Sequence, residues 1–422
     1  MALPDLVPSL SRPQLQVETT FCGATVKIEH WFRAQWKAHA APFYASVDLR
    51  NAGFKLAPVD TNLFPGGFNN LNPAFSPLGV QAAITAVEKI CPEARGVLLV
   101  PENHTRNMFY LKNIVALSTI LRQAGLHVRI GSLLPEITQP TRLKLPDGGS
   151  LLLEPIQRNG NRLSVDGFDP CVVLLNNDLS AGVPDILKGL EQQILPPLHA
   201  GWSTRRKSRH FTAYDKLAGE FARLLNVDPW LINPYFASCG EINFQERRGE
   251  DCLAGYITEI LDDIRAKYSE YGIEEEPFCI VKADAGTYGM GIMTVKSPDD
   301  IRDLNRKQRN KMAVVKDGLS VRDVLVQEGV YTFERVHDAA AEPVVYMMDH
   351  FVIGGFYRVH TERGPDDNLN APGMHFVPLA FDTACLPDLE AGDNSSPNRF
   401  YAYGVIARLA LLAGAIELEP GG

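Results

Sequence analysis

The stretch VKADAGTYGMGIMTV (Val281–Val295) ends one apolar run on Lys282, places glycines at 286, 289 and 291, and starts a second apolar run at once. Two β-type runs flanking a glycine cluster predict a strand, a glycine-rich turn and a return strand. Two common phosphate loops use the same residue types in a different order. A Walker A loop puts its lysine after the glycines and opens a helix, and a Rossmann fingerprint also needs a helix after its glycines. GIMTV is strand-like, so neither fits. A glycine-rich flap can lay backbone N–H groups over a triphosphate, because glycine lets the main chain approach closely. In that reading Gly286, Tyr288, Gly289 and Gly291 form the flap, and Lys282 reaches the phosphate oxygens from the incoming strand. Kinases use a comparable flap, but no HRD or DFG element follows here. An ordinary hairpin accounts for the same letters, so the surrounding chain has to decide.

The chain has 422 residues, 45 % of them hydrophobic, enough for a large core and two or three domains. Its net charge of −9 argues against nucleic acid, whose phosphate backbone needs a basic face. The expected partners are small molecules, with no nucleic acid and no membrane; a homo-oligomer stays open. MALPDLVPSL lacks the basic start and unbroken apolar core of a signal peptide. The longest apolar run, near the C-terminus, is broken by Arg408. Seven scattered cysteines without a CxxC pair fit reduced thiols in a cytoplasmic protein better than a disulfide framework or a zinc site.

Along the chain, residues 1–200 alternate helical and strand-like segments, the pattern of an α/β layer. ARGVLLVPE (94–102) and PCVVLLNND (170–178) read as buried strands that run into polar loops. NMFYLKNIVALSTILRQAG (107–125) is an amphipathic helix stopped by Gly125, followed by a strand in LHVRIGSL (126–133). TRLKLPDGGSLLLEPI (141–156) reads as a hairpin turning at PDGG. A boundary is expected around 195–210, and helices are expected in 214–226 and 262–272.

After the flap, DVLVQEGVYTFERV (323–336) is an apolar strand that abruptly carries Gln327, Glu328 and Val330, then Glu334. Such a hinge can offer backbone groups to an adenine edge and a carboxylate to a ribose. PVVYMMDHFVIGGFYRVH (343–360) reads as a hairpin turning at Ile353–Gly355, with Arg358 on its second strand. FYAYGVIARLALLAGAIELE (400–419) reads as a helix, then a strand bearing Glu417 and Glu419. This order resembles the ATP-grasp carboxylate–amine ligases. The resemblance implies ATP and Mg²⁺ as cofactors, a first lysine at Lys216, a second at Lys282, a hinge at Gln327, Glu328 and Val330, a ribose carboxylate at Glu334 and a phosphate-steadying Arg358. The family's late Glu-x-Asn metal pair has no counterpart, so Glu417 and Glu419 stand in as metal ligands. EINF (241–244) has the right letters in the wrong place.

SVDLRNAGFKLAPVDTNLFPGGFNNL (46–71), PENHTRN (101–107), KADAGTYGMGI and MDHFVIGGFYRVH together resemble the proteobacterial glutamate–cysteine ligase family, itself similar to ATP-grasp enzymes. The fold implied is α/β (α+β), ATP-grasp-like, with an N-terminal α/β substrate domain over 1–200 and a nucleotide-binding region over 201–422. The activity implied is ATP-dependent joining of the glutamate γ-carboxylate to cysteine. Arg50 and Lys55 suit substrate carboxylates by charge, and Asp48 and Asp60 suit an ammonium. Asn51, Asn62, Asn69 and Asn70 could complete the hydrogen bonding, or could equally stabilise turns. RRKSRH (205–210) reads as a solvated charge run or a phosphate grip, His104 and His360 as structural, and Cys239 as a buried thiol or a regulatory one. A different ATP-grasp ligase and a non-catalytic ATP sensor are the rival readings.

Overall fold

The computed structural model describes residues 12–286, 291–314, 320–379 and 399–419. Two helices, α1 (Arg12–Gly23) and α2 (Thr25–Ala38), lead into strands β1 (Tyr44–Asn51) and β2 (Leu56–Asn62). Helix α3 (Ser76–Ile90), β3 (Gly96–Pro101), α4 (Met108–Gln123) and β4 (His127–Ser132) follow. Next come β5 (Thr141–Lys144), β6 (Ser150–Pro155), the small pair β7 (Gln157–Asn159) and β8 (Arg162–Ser164), β9 (Val172–Asn176) and β10 (Gln193–Leu195). The second half holds α5 (Lys207–Leu225), β11 (Phe236–Cys239), α6 (Glu250–Tyr271), β12 (Cys279–Ala283), β13 (Ile292–Val295), and short helices α7 (Asp299–Arg302) and α8 (Arg306–Met312). It closes with β14 (Val324–Glu328), β15 (Arg335–Val336), β16 (Ala339–Met348), β17 (Phe351–His360), β18 (His375–Pro378) and α9 (Arg399–Glu417).

The fold is a mixed α/β one built on three principal sheets. The uninterrupted apolar runs of β3 and β9 form the middle of a mainly parallel sheet, ordered β10-β9-β3-β4-β6-β5. Alternation splits their side chains between two cores: Leu98, Val100, Val173 and Leu175 join one, Val97, Leu99, Val172 and Leu174 the other. Burial on both faces is what a parallel sheet needs. The predicted 141–156 hairpin is β5–β6. A four-stranded antiparallel sheet, β11-β14-β12-β13, carries the opening stretch. The central antiparallel sheet, β18-β17-β16-β1-β2 with β15 beside β16, takes strands from both ends of the chain. A division at residue 200 therefore does not follow the sheets.

Two expectations differ. β16 and β17 are joined at Asp349–His350, where Asp349 has φ +48°, and not at Ile353–Gly355. The glycine pair lies inside β17: a Cβ on Gly355 would stand 2.4 Å from the Val344 carbonyl oxygen, so this is a close backbone approach rather than a turn. At the C-terminus the helix runs through Glu417, and no strand carries that residue. Helix α9 is apolar on all sides and buried, which makes it a core helix. Its Arg408 forms a two-point ion pair with Glu29 at 2.7 and 2.8 Å and lies over the Phe32 ring.

Candidate functional site

A cavity of about 350 Å³ opens between the central sheet, the β12–β14 sheet and the carboxyl ends of β3 and β9. Period-two alternation decides which residues reach it. On β1, Ser46, Asp48 and Arg50 face the cavity while Ala45, Val47 and Leu49 face the core. Asp60 and Asn62 on β2, Glu342, Val344 and Tyr346 on β16, and Phe356 and Arg358 on β17 follow the same rule. Strand register adds pairing: Glu342 lies opposite Arg358, and Asp48 opposite Asp60.

The floor is an ion network of two guanidinium and two carboxylate groups. Arg358 Nη1 donates to Asp48 at 2.8 Å and also to Glu342. Arg50 Nε donates to the other Glu342 oxygen at 2.6 Å, and its terminal nitrogens donate to the Pro365 and Asp367 carbonyls at 2.9 and 2.6 Å. Burial pushes the Asp48 carboxyl up, with Glu342 adding to the rise and Arg358 opposing it. Burial would raise Glu342 too, but Arg50 and Arg358 hold it low. Among the described residues, the buried Arg358 Nε has no hydrogen-bond partner.

Beside the network stand two lysines. Lys282 Nζ donates to the Val59 carbonyl at 2.6 Å and to Gln327 Oε1 at 2.7 Å. Burial lowers its pKa to about 7, against the pull of Asp60. The buried Gln327 Nε2 has no partner. Lys207 pairs with both oxygens of Asp60, at 2.7 and 2.9 Å, and lies 4.4 Å from the centre of the Trp202 ring. Burial would raise the Asp60 carboxyl, yet Lys207 and Lys282 hold it well below the usual carboxylate range. Lys207 opens α5 because Asp284, two residues beyond Lys282, caps that helix. Its carboxylate accepts from Ser208 N and Ser208 Oγ at 2.7 Å each, and its backbone oxygen accepts from Lys207 N at 2.8 Å. One aspartate thus locks the two lysines together.

The glycine stretch folds as a β12–β13 hairpin with Lys282 opposite Ile292. Gly286 and Gly291, at φ +100° and +62°, take backbone conformations that favour glycine. Tyr288 and Gly289 lie outside the described residues. Phe278, Ile280, Ile292 and Val330 give this side of the cavity an apolar slot.

Of the sequence-derived candidates, Asp48, Arg50, Asp60, Asn62, Asn69, Asn70, Lys282, Gln327, Glu328, Val330 and Arg358 line the cavity together. Others are placed elsewhere. Lys216 is exposed on α5, nine residues past Lys207 and away from the cavity lining. Lys55 is buried against Glu328 at 2.8 Å, the Asn233 carbonyl and the Trp230 ring, so its charge is already used. That pair, with Trp230 Nε1 and Tyr235 N, also occupies the Glu328 carboxylate. Asn51 and Glu334 bond each other and Tyr403, with Arg399 close by, and the Glu334 carboxylate lies outside the cavity wall. Glu417 is enclosed by Arg205 and His210, and Glu419 pairs with His39 near the surface. Each glutamate is paired with basic groups and, among the described residues, no second carboxylate is placed beside it. Among the described residues, no cluster of three or more His, Cys, Asp or Glu stands ready for a metal.

Sequence reasoning missed Glu342 and Lys207. Glu342 sits in an apolar run, where its alternation with Val344 and Tyr346 was the available signal. Lys207 lay in the charge run RRKSRH, read as a solvated surface or a phosphate grip; three of its residues, Arg205, Lys207 and His210, are buried, and only the Lys207–His210 spacing marks a shared helix face. Asn107, Asn113, Asn176, Asn368 and Asn370 add an amide wall. Asn113 and Asn176 bond each other and clamp the 65–68 loop. His104 packs edge-on against Tyr110, and His360 is bonded to the Pro372 carbonyl.

A family model described as GshA, glutamate-cysteine ligase, matches residues 18–418. A crystal structure from Methylobacillus flagellatus KT, of a protein provisionally named gamma-glutamylcysteine synthetase, is 67% identical, with 99% of each chain covered and a TM-score of 0.92. A glutathione synthetase-like effector from Globodera pallida in its apo form is 11% identical over 85% of this chain and 86% of that one, with a TM-score of 0.42. D-alanyl-alanine synthetase A from Vibrio cholerae O1 biovar eltor is 13% identical over 75% of this chain and 81% of that one, with a TM-score of 0.34. A comparison with curated proteins gives no match.

Proposed function

This chain belongs to the glutamate–cysteine ligase family, and from that premise we propose that the cavity described above is where glutamate, cysteine and ATP meet. The reaction is the ATP-dependent joining of glutamate to cysteine, giving γ-glutamylcysteine for glutathione biosynthesis. A carboxylate is a poor electrophile at neutral pH, so the γ-carboxylate oxygen first attacks the γ-phosphorus of ATP. ADP leaves and an acyl phosphate forms. The amine of cysteine then attacks the acyl carbon, and phosphate departs with the C–O bonding pair.

The protein's part is positioning and charge neutralisation. The slot of Phe278, Ile280, Ile292 and Val330 suits the flat adenine face. Lys282 suits the phosphate oxygens, with Lys207 behind the lining on Asp60, close enough to add its charge if that pair opens, and the unused Nε of Arg358 suits the group in transfer. The single observation that carries this reading is the place of Lys282: it lines the cavity at the end of β12, and its Nζ donates to two neutral oxygens, the Val59 carbonyl and Gln327 Oε1, so an arriving polyanion meets an ammonium that these two bonds leave unneutralised. The amide wall and Asp178 suit the amino-acid substrates on the opposite side. Magnesium fits one place best. It is commonly held by one or two carboxylates plus substrate phosphates, and Asp48 and Glu342, both bonded to one Arg358 nitrogen, are the carboxylates at hand. Bound there, the ion would neutralise developing phosphate charge. Free thiols at all six described cysteines suit a cytoplasmic setting.

The test uses purified protein with ATP, magnesium, glutamate and each small amino acid in turn, following phosphate release and weighing products under reducing conditions. A glutamyl-cysteine mass formed only with cysteine is the expected result. Turnover with another acceptor and not cysteine would overturn the assignment.

A further inference from the structure

The C-terminal turn of α9 holds a charge that local physics disfavours. Glu417 is its last residue, where the helix dipole is negative and a carboxylate is repelled. Its side chain is only 4% exposed. A buried charge in that place persists only when it is well paired. Arg205 Nε donates to one Glu417 oxygen, and His210 Nδ1 lies 3.3 Å from the other. Arg205 is itself fixed over the Trp202 ring, 4.8 Å from its centre. Its Nη1 donates to the Thr61 carbonyl at 2.6 Å. Thr61 sits between Asp60 and Asn62, two of the β2 residues that line the cavity.

We propose that Glu417 and Arg205 are positioning residues for the nucleotide side of the cavity, a strut from the end of α9 to the strand that carries Asp60. The guanidinium grips the backbone next to Asp60, and Asp60 in turn holds Lys207 and faces Lys282. Glu417 keeps Arg205 aimed at the Thr61 carbonyl and cancels its charge. With that charge uncancelled, Arg205 competes with Lys207 for Asp60, and both lysines shift. Burial lowers the pKa of His210 against the pull of Glu417, and Arg205 adds to the fall. The inference rests on the reading that Lys207 and Lys282 address ATP phosphates.

The experiment measures binding of the non-hydrolysable analogue AMP-PNP with magnesium, and steady-state kinetics, for wild type, Glu417→Gln, Arg205→Lys, Glu419→Gln and Lys282→Met. Glu417→Gln should weaken the analogue about tenfold, the scale of one lost charge-assisted hydrogen bond. KM for glutamate should stay unchanged, and Glu419→Gln should match wild type. Arg205→Lys, which keeps the charge and loses the two-point grip, should fall in between and serves if Glu417→Gln does not fold. Normal AMP-PNP affinity in both strut variants, with Lys282→Met impaired, would overturn the strut alone. An equal loss for every substrate would reduce it to plain stability. Normal affinity in Lys282→Met would remove the nucleotide reading and the strut with it.

Discussion

Replacing Lys282 with methionine should abolish ligation and yet cost the fold no stability in mild acid. The lysine titrates near pH 7 in the folded chain, against an ordinary value of 10.5. Its folded pKa is depressed, so the cost of burying the ammonium is fully present below pH 7 and vanishes as pH rises through 10.5. At about 1.4 kcal/mol per tenfold change in proton affinity, that cost is about 5 kcal/mol at pH 6. Methionine removes it but leaves the Val59 carbonyl and Gln327 Oε1 without their donor, at about 1–3 kcal/mol each. The net expectation at pH 6 runs from near parity to a variant more stable by about 3 kcal/mol. Any advantage should be gone by about pH 9, where the burial cost has fallen to about 2 kcal/mol, and the variant should be the less stable above it, because wild type gains stability with pH through this window and the variant does not. Denaturant unfolding at several pH values, with ligation assayed alongside, reads both effects. The same logic makes nucleotide binding take up close to one proton at pH 8 in wild type and none in the variant, measurable by calorimetry in buffers of different ionisation enthalpy. A variant less stable than wild type at pH 6, by the same margin as at pH 9, would refute the reasoning.

Three further outcomes are expected. Glu328→Gln strands the ammonium of Lys55, which is 1% exposed, and should cost about 3–5 kcal/mol in chemical denaturation; Lys55→Met added to Glu328→Leu should recover much of it. Lys207→Ala should weaken AMP-PNP binding while Lys216→Ala leaves it unchanged, since Lys207 is buried on Asp60 and Lys216 is exposed. Arg358→Lys keeps the charge between Asp48 and Glu342 but has no counterpart of the unpartnered Nε donor, and should lower kcat by about a hundredfold, with melting temperature as the control for folding.

The local letters determined a good deal by themselves. Strand, glycine turn and return strand in 281–295, the buried runs of β3 and β9, and the 141–156 hairpin follow from periodicity and turn chemistry, which act over a few residues. The N-terminal segment 46–71 showed polar residues alternating with apolar ones, which fits a strand with one polar face but does not say whether that face meets solvent or a cavity. Tertiary structure decided which charges were free. Lys55, Asn51, Glu334 and Glu417 look like ligand residues in the sequence, yet each is neutralised or bonded by a partner distant in the chain: Glu328, Glu334, Arg399 and Arg205. Lys216 was chosen by position in the chain, whereas burial and the Asp284 cap select Lys207. The even polarity of α9 hid its end as well, since an apolar run does not say whether it continues as helix or strand. Burial and pairing set whether a charged side chain serves the fold or a ligand, and both are properties of the packed chain.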